Sequence, residues 1–436
     1  MTPTTTAESL TKKQTVISIG IIGMLFFIFG FVSWVNAILI PYFKIACELN
    51  HFQSYLVAFA FYIAYFVVSV PSAYLLKRVG FKRGMMAGFW LMALGAAIFV
   101  PAALVRTYEL FLVGLFTLGG GLAILQTAAN PYITVLGPKE RAAQRISIMG
   151  ICNKGAGILA PLAFAAAILR PTDSALFAQI PLMDDQTRAQ TLDALIRRVI
   201  VPYACVSAVL FALGLVVRYS PLPEIDTEHE SAEVASQNEG KTSIFQFPHL
   251  ILGAFAIFLH VGTQVIAIDT IIGYAGSMGM DLLQAKAFPS YTLAATIVGY
   301  LIGIACTPKL FSQLTALRTC TLLGLSFSLG ILLFSGDIRL LGHNADVSIW
   351  FVVLLGLANS LVWAGIWPLA LDGLGRFTKL GGSVMIMGLC GNALLPLIYG
   401  YLADNYSLRD GYWVLVPCYV YLIFYAFKGH RIRRWT

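Results

Sequence analysis

A few ionisable and amide side chains stand inside stretches that are otherwise almost wholly apolar. Lys154, Asp269 and His260 lie deep in such stretches, and Arg145 and Asp372 lie near their ends. A charge at membrane depth is costly, so each needs a partner, a wet cavity or a function. Asp269 is the most telling. A carboxylate that is costly to ionise in apolar surroundings can take up and release a proton. Ionised, it is an oxygen ligand for a cation, so Na+ at Asp269 is the metal expected here. The competing reading makes Asp269 a structural partner of Lys154. His260 either joins Asp269 in cation coupling or satisfies a neighbouring helix as a neutral imidazole. The two are nine residues apart, about 180° around an ideal helix. They can share a cavity only if that helix breaks, which Gly262 and Gly273 permit.

The amides and indoles suggest a second chemistry. Lys154 follows Asn153 and can donate to hydroxyl groups or pair with a carboxylate; snorkelling to the membrane face would have to cover about 13 Å of helix. Gln126 and Asn130 are four apart and share a face, and Pro131 behind them predicts a bend. Asn359, Trp363 and Trp367 also follow four-residue steps. Flat aromatic faces stack on the apolar face of a sugar ring while amides bind its hydroxyls, so the mixture suits a neutral polyol. The alternative for the two tryptophans is interfacial packing against lipid. Trp34, Asn36, Gln264 and Asn392 extend the set.

These residues must be positioned by helices. Hydrophobic residues make up 58% of the 436 and charged residues only 11%, where a soluble domain carries about 25% charged. Runs of roughly 20 apolar residues that can span a bilayer fall near 16–41, 52–76, 84–105, 109–136, 145–170, 198–217, 248–275, 287–305, 314–335, 347–371, 380–402 and 410–428. They are called spans 1 to 12. Long apolar runs without alternation predict helices rather than a barrel. The first fifteen residues are polar and lack a cleavage pattern, so no removable signal peptide is expected. Between spans 5 and 6, residues 186–198 have the spacing of a short surface helix.

The net charge of +8 does not call for a nucleic acid. With a cytoplasmic N-terminus, 19 of the 29 basic residues fall on the cytoplasmic side, as the positive-inside rule expects of a multi-pass inner-membrane protein with both termini in the cytoplasm. The seven cysteines (Cys47, Cys152, Cys205, Cys306, Cys320, Cys390 and Cys418) lack metal-ligand spacing and suit packing. No metalloprotease, phosphate-loop or paired-acid motif suggests an enzyme. Gly119, Gly120 and Gly121 fall inside span 4, where small residues let helices approach closely.

The chain is also duplicated. Met149-Gly150-Ile151-Cys152-Asn153-Lys154 in span 5 echoes Met387-Gly388-Leu389-Cys390-Gly391-Asn392 in span 11. Gly121-Leu122-Ala123 matches Gly356-Leu357-Ala358, and Pro71 and Pro131 match Pro308 and Pro368, all at an offset of about 236 residues. An acidic stretch, Glu224 to Glu239, divides the copies. The expected organisation is a six-helix bundle over 1–217, a cytoplasmic linker over 218–247 and a second bundle over 248–436. This is an all-α membrane protein of twelve transmembrane helices in two pseudo-symmetric six-helix bundles, a plan that binds substrate at the midplane between repeats.

Residues 20–170 resemble the fucose permease and glucose/galactose transporter group of the major facilitator superfamily. The resemblance is carried by Asn36 to Pro41, by Gln126-Thr127-Ala128-Ala129-Asn130-Pro131-Tyr132, by Val135-Leu136-Gly137-Pro138 and by Arg145 to Asn153. The loop from Ala73 to Arg83 is similar to the superfamily's basic motif between spans 2 and 3, in degenerate form. Gly262 to Thr270 is similar to a bacterial branch that includes N-acetylglucosamine and glucose/galactose transporters. The resemblance implies proton- or sodium-coupled sugar import by alternating access. Fucose permease has an Asp after the span 1 Asn and a Glu before TAANP, both tied to coupling. Here Ala37 and Gln126 occupy those places, so that proton path is not carried over and Asp269 is expected to take the coupling role.

Together these readings imply a sugar–cation symporter for a hexose (glucose, galactose or N-acetylglucosamine), with Asn36, Gln126, Asn130, Asn153, Lys154, Gln264, Asn359, Trp363 and Asn392 around the sugar and Asp269 with His260 at the cation. The expected partners are a small-molecule sugar and the lipid bilayer. No cofactor beyond the coupling ion, H+ or Na+, is expected, and the chain is expected to act as a monomer. Loss of two family carboxylates keeps a passive uniporter open, and a non-transporting sugar sensor is the third reading.

Overall fold

In a computed structural model of the chain, residues 12–135, 142–220, 242–307 and 310–435 are described. Among them, twelve helical segments are long and apolar enough to cross a bilayer: Ile17–Ala46, Phe52–Val79, Phe81–Val105, Tyr108–Asn130, Arg145–Ile168, Asp185–Tyr219, Pro248–Asp269, Leu282–Cys306, Gln313–Leu333, Val347–Leu371, Leu380–Asn405 and Asp410–Arg431. Their order reproduces spans 1 to 12. Large apolar side chains such as Leu104, Val201, Phe211 and Val298 are exposed on the outside of the bundle, as lipid contact requires. Twelve crossings put Lys12 and Trp435 on one face, the terminal face; the other is the far face. Most of the expected linker, residues 221–241, lies outside the described residues.

Helix packing repeats with an offset of six spans. Span 1 packs on span 5, span 2 on span 4, and span 3 on spans 4 and 6; span 7 packs on 11, span 8 on 10, and span 9 on 10 and 12. Glycines at equivalent points explain how. A Cβ on Gly30 would stand 1.9 Å from Asn153 O, closing spans 1 and 5, and one on Gly391 would stand 1.8 Å from Phe258 O, closing spans 7 and 11. Gly119 lies equally close to Phe61 O between spans 2 and 4, and Gly356 to Thr292 O between spans 8 and 10. Only a residue without Cβ allows backbones this close. The two halves meet where span 2 runs along span 11 and span 5 along span 8.

Several spans are interrupted where the sequence shows an unbroken apolar run. Span 1 is helical over Lys12–Trp34 and again over Asn36–Ala46. Span 7 stops at Asp269 and resumes over Ile271–Ser277. Span 10 divides into Val347–Asn359 and Val362–Leu371, and span 11 into Thr378–Met387 and Gly391–Asn405 around a tighter turn. Span 4, in contrast, stays helical over Tyr108–Val135, so Pro131 does not end it. The surface helix expected over 186–198 is present as Asp185–Arg197, with Leu192, Leu195 and Ile196 buried; Tyr42 holds it by donating to Leu195 O at 2.5 Å. The far face also carries a hairpin of Asp337–Leu340 with His343–Asp346, which apolar periodicity did not predict.

Candidate substrate chamber

Between the two halves lies a cavity of about 120 Å³ at the scale of a water molecule. This is about ten times the least volume that holds one water, room for a small polar molecule. Spans from both halves line it. Span 1 gives Ser33 and Trp34, span 2 Tyr62 and Tyr65, span 4 Gln126 and Asn130, and span 5 Asn153 and Lys154. Opposite them stand His260 and Gln264 from span 7, Tyr300 from span 8, Trp363 and Trp367 from span 10 and Asn392 from span 11.

These groups hold one another in place. Trp34 Nε1 donates to Asn153 Oδ1 at 3.1 Å, and Asn153 Nδ2 donates to Phe26 O at 3.3 Å. Gln126 Nε2 donates to Tyr65 OH at 2.9 Å, and Asn130 Nδ2 to Gln126 O at 3.0 Å. Lys154 Nζ donates across the cavity to Gln264 Oε1 at 2.8 Å and sits 4.0 Å from the centre of a Trp34 ring, a cation–π distance. Trp363 and Trp367 stack with ring centres 5.1 Å apart. Asn392 Oδ1 and His260 Nδ1 are buried without a hydrogen-bond partner among the described residues. Buried polar atoms of this kind are rare unless a water or a ligand completes them. The cavity can therefore stack an apolar ring face on indoles and meet hydroxyls with amides.

Of the residues expected at the sugar, Gln126, Asn130, Asn153, Lys154, Gln264, Trp363 and Asn392 all line this one space, and so does His260. Asn359 does not. Its Oδ1 accepts from Tyr419 OH at 2.9 Å and from Thr263 Oγ1 at 3.3 Å inside the second half. The break in span 10 after Asn359 removes the continuous four-residue step that would have aligned it with Trp363. The side chain of Asn36 lies outside the described residues. Asp269 is also absent from the lining: it is on the same unbroken helix as His260, so the half-turn between them sends it behind the wall. Among the described residues neither Asp269 oxygen has a hydrogen-bond partner, and the neighbouring Thr270 Oγ1 bonds Tyr412 OH at 2.9 Å. Gly262 does not break the helix but seats it against Leu395 and Gly391 O. The lining tyrosines were not legible in advance, because 19 tyrosines are scattered through the chain without a distinguishing pattern.

At the far face the halves touch above this cavity. Phe52 N donates to Asp404 Oδ2 at 3.0 Å, and the Tyr55 ring meets Tyr399 edge-on at 5.9 Å. On the other side the lining continues toward the terminal face through Ile133, Ile146 and Tyr300.

The sequence of these two helical halves matches the Major Facilitator Superfamily over residues 22–396. The chain belongs to the Major Facilitator Superfamily. It is a multi-pass membrane protein of a transporter family, not an enzyme. It is 32% identical to the glucose/galactose transporter of Brucella abortus over 427 residues, 97% of each chain. It is 28% identical over 426 residues to the L-fucose-proton symporter of Escherichia coli, covering 96% of this chain and 94% of the relative. Among solved structures, the superfamily transporter FucP in its outward conformation is similar with a TM-score of 0.73 at 25% identity, over 97% of this chain and 100% of that one.

Proposed function

We propose that this superfamily member imports a neutral hexose of the glucose/galactose type across a bacterial inner membrane, coupled to H+ or Na+, by rocking two bundles about the central cavity. The observation that carries the reading is the cavity wall: amides from four spans and stacked indoles from a fifth converge on one space between the halves. Relatives named for glucose/galactose and for L-fucose with a proton support it. None of the relatives reported above is named for N-acetylglucosamine, and the proposal does not extend to it. Both termini are cytoplasmic, which puts the basic residues of the terminal face inside. The bundles are residues 1–217 and 248–436, joined by the acidic linker at 218–247.

In this reading Gln126, Asn153, Gln264 and Asn392 bind hydroxyls, Trp363 and Trp367 stack the ring, and Asp269 takes the cation with His260 near the sugar. A passive uniporter is the second reading. It is favoured by one feature: no carboxylate stands among the described residues that line the cavity. Uptake of labelled glucose and galactose into proteoliposomes, under an imposed proton gradient, a sodium gradient or neither, separates the two. Symport predicts accumulation above equilibrium with one gradient only. Equal, purely downhill uptake in all three conditions would leave the uniporter, and no uptake of either sugar would reject the substrate assignment.

A further inference from the structure

Among the described residues, two buried charges in the spanning core form no salt bridge, and they belong to opposite halves. Other buried charges among the described residues are accounted for: Asp173 pairs with Arg198 at 2.5 Å, and Arg145 Nε donates to Ile133 O at 3.1 Å. Lys154 on span 5 is only 5% exposed, and its contacts are the neutral Gln264 Oε1 and the Trp34 ring. Asp269 on span 7 is only 2% exposed, with both oxygens unbonded. An uncompensated ion in such surroundings is strongly unfavourable, so each must find compensation during the working cycle.

The route between them is short. Gln264, the acceptor of Lys154, precedes Asp269 by five residues on one helix, about 7.5 Å along its axis and about 140° around it, so the ammonium reaches the carboxylate past the edge of that helix. That helix ends at Asp269 and is interrupted at Thr270, which leaves the carboxylate at a joint rather than within a rigid rod. On the same side, Tyr55 from span 2 and Tyr412 from span 12 contribute phenols rather than charges. A movement of one half against the other changes the distance between spans 5 and 7, and leaves pairs within either half unchanged.

We propose that Lys154 is the counter-charge of Asp269, and that the coupling cation and the Lys154 ammonium occupy the Asp269 carboxylate in turn. This rests on the transport reading above. In the arrangement seen here Lys154 is turned to Gln264 and Trp34, leaving Asp269 to the cation. When the cation departs, the ammonium takes its place, so one positive charge replaces another. The next cation displaces the ammonium, which returns to Gln264. Lys154 is thus a positioning residue that lets Asp269 release its cation, and Gln264 is its resting acceptor.

The test uses Lys154→Gln, Asp269→Asn and the double variant in proteoliposomes, with two galactose fluxes measured. Because Lys154 also lines the cavity, net efflux is read relative to the same variant's counterflow exchange, in which the cation stays bound. In Lys154→Gln the ratio of net downhill efflux to counterflow should fall tenfold or more, because Asp269 then has nothing to exchange its cation for. Adding Asp269→Asn to Lys154→Gln should restore net efflux, since no carboxylate remains to be compensated. A Lys154 that merely binds sugar or braces the fold would lose counterflow as well and would not be rescued. Net efflux in the double variant no better than in Lys154→Gln overturns the proposal. If the unaltered protein moves no galactose, the transport reading fails separately, and thermal melting of the purified proteins decides the pairing. Lys154→Gln must then melt below wild type and the double variant must recover; a double variant that melts as low as the single overturns it.

Discussion

At the residue scale, the chamber depends on a few neutral hydrogen bonds placed by rigid neighbours. Gln126 is held by Tyr65 and faces the cavity. Removing one such hydrogen bond to a sugar hydroxyl costs about 1–1.5 kcal/mol, roughly tenfold in affinity. Gln126→Ala is therefore expected to raise the KM for hexose uptake about tenfold with a smaller change in maximal rate, as measured by initial-rate uptake at varied sugar. Asp269 stands off the cavity, and the coupling role proposed for it gives a different expectation. Asp269→Asn is expected to abolish uphill accumulation while sparing counterflow exchange. Accumulation at wild-type level would refute its part in coupling.

At the element scale, what could be seen in the sequence followed helical geometry, and what could not followed from where helices break. The half-turn between His260 and Asp269 puts them on different sides of a helix that stays whole from Pro248 to Asp269, so only His260 lines the cavity and the two are not brought together at one site. The same arithmetic failed for Asn359, because span 10 is interrupted at Ser360 and Leu361. No proline or glycine stands at that interruption to announce it; the nearest, Gly356 and Gly365, lie inside the two flanking helices. Helix contacts were more legible. The repeated glycines of spans 4 and 10, and Gly391 beside its duplicated phrase, mark the points where backbones meet. Gly391→Ala places a methyl group 1.8 Å from Phe258 O, a backbone atom that cannot turn aside. Its overpacking cost of about 1–3 kcal/mol exceeds the ~1 kcal/mol that alanine gains over glycine in a helix. The purified variant should melt below wild type. Gly155→Ala, with nothing within 4 Å of the new methyl group, should melt at or above it.

On the scale of the whole molecule, the proposed transport requires the two halves to move, and under that proposal the contacts at the far face are the ones that would part. Phe52 bonds Asp404, and the Phe52 Cα lies 3.5 Å from where a Cβ on Gly400 would stand. Cysteines at these two places fall within reach of a disulfide once the Tyr55 ring, whose Cδ2 lies 2.6 Å from the new Cβ at residue 400, shifts aside. Oxidised Phe52→Cys/Gly400→Cys should stop hexose flux and regain it on reduction; flux that continues when cross-linking is complete would mean that this end of the molecule does not open. The sixfold offset in packing was foreshadowed by the duplicated phrases, since equal sequences at equal depth make equal contacts. The far-face hairpin was not, because its exposed strand Asp337–Leu340 buries no side chain that would impose a pattern.

The central claim is that a hexose sits among Gln126, Asn153, Gln264, Asn392 and the indoles of Trp363 and Trp367. Equilibrium binding of labelled galactose and glucose to the purified protein tests it most directly, with Asn392→Ala as the comparison. Asn392 Oδ1 is a buried acceptor with no hydrogen-bond partner among the described residues. At least one of the two sugars should bind saturably, about tenfold or more weakly in Asn392→Ala, while the melting temperature of that variant holds. Absence of saturable binding, or binding that is unchanged in Asn392→Ala, would contradict that claim.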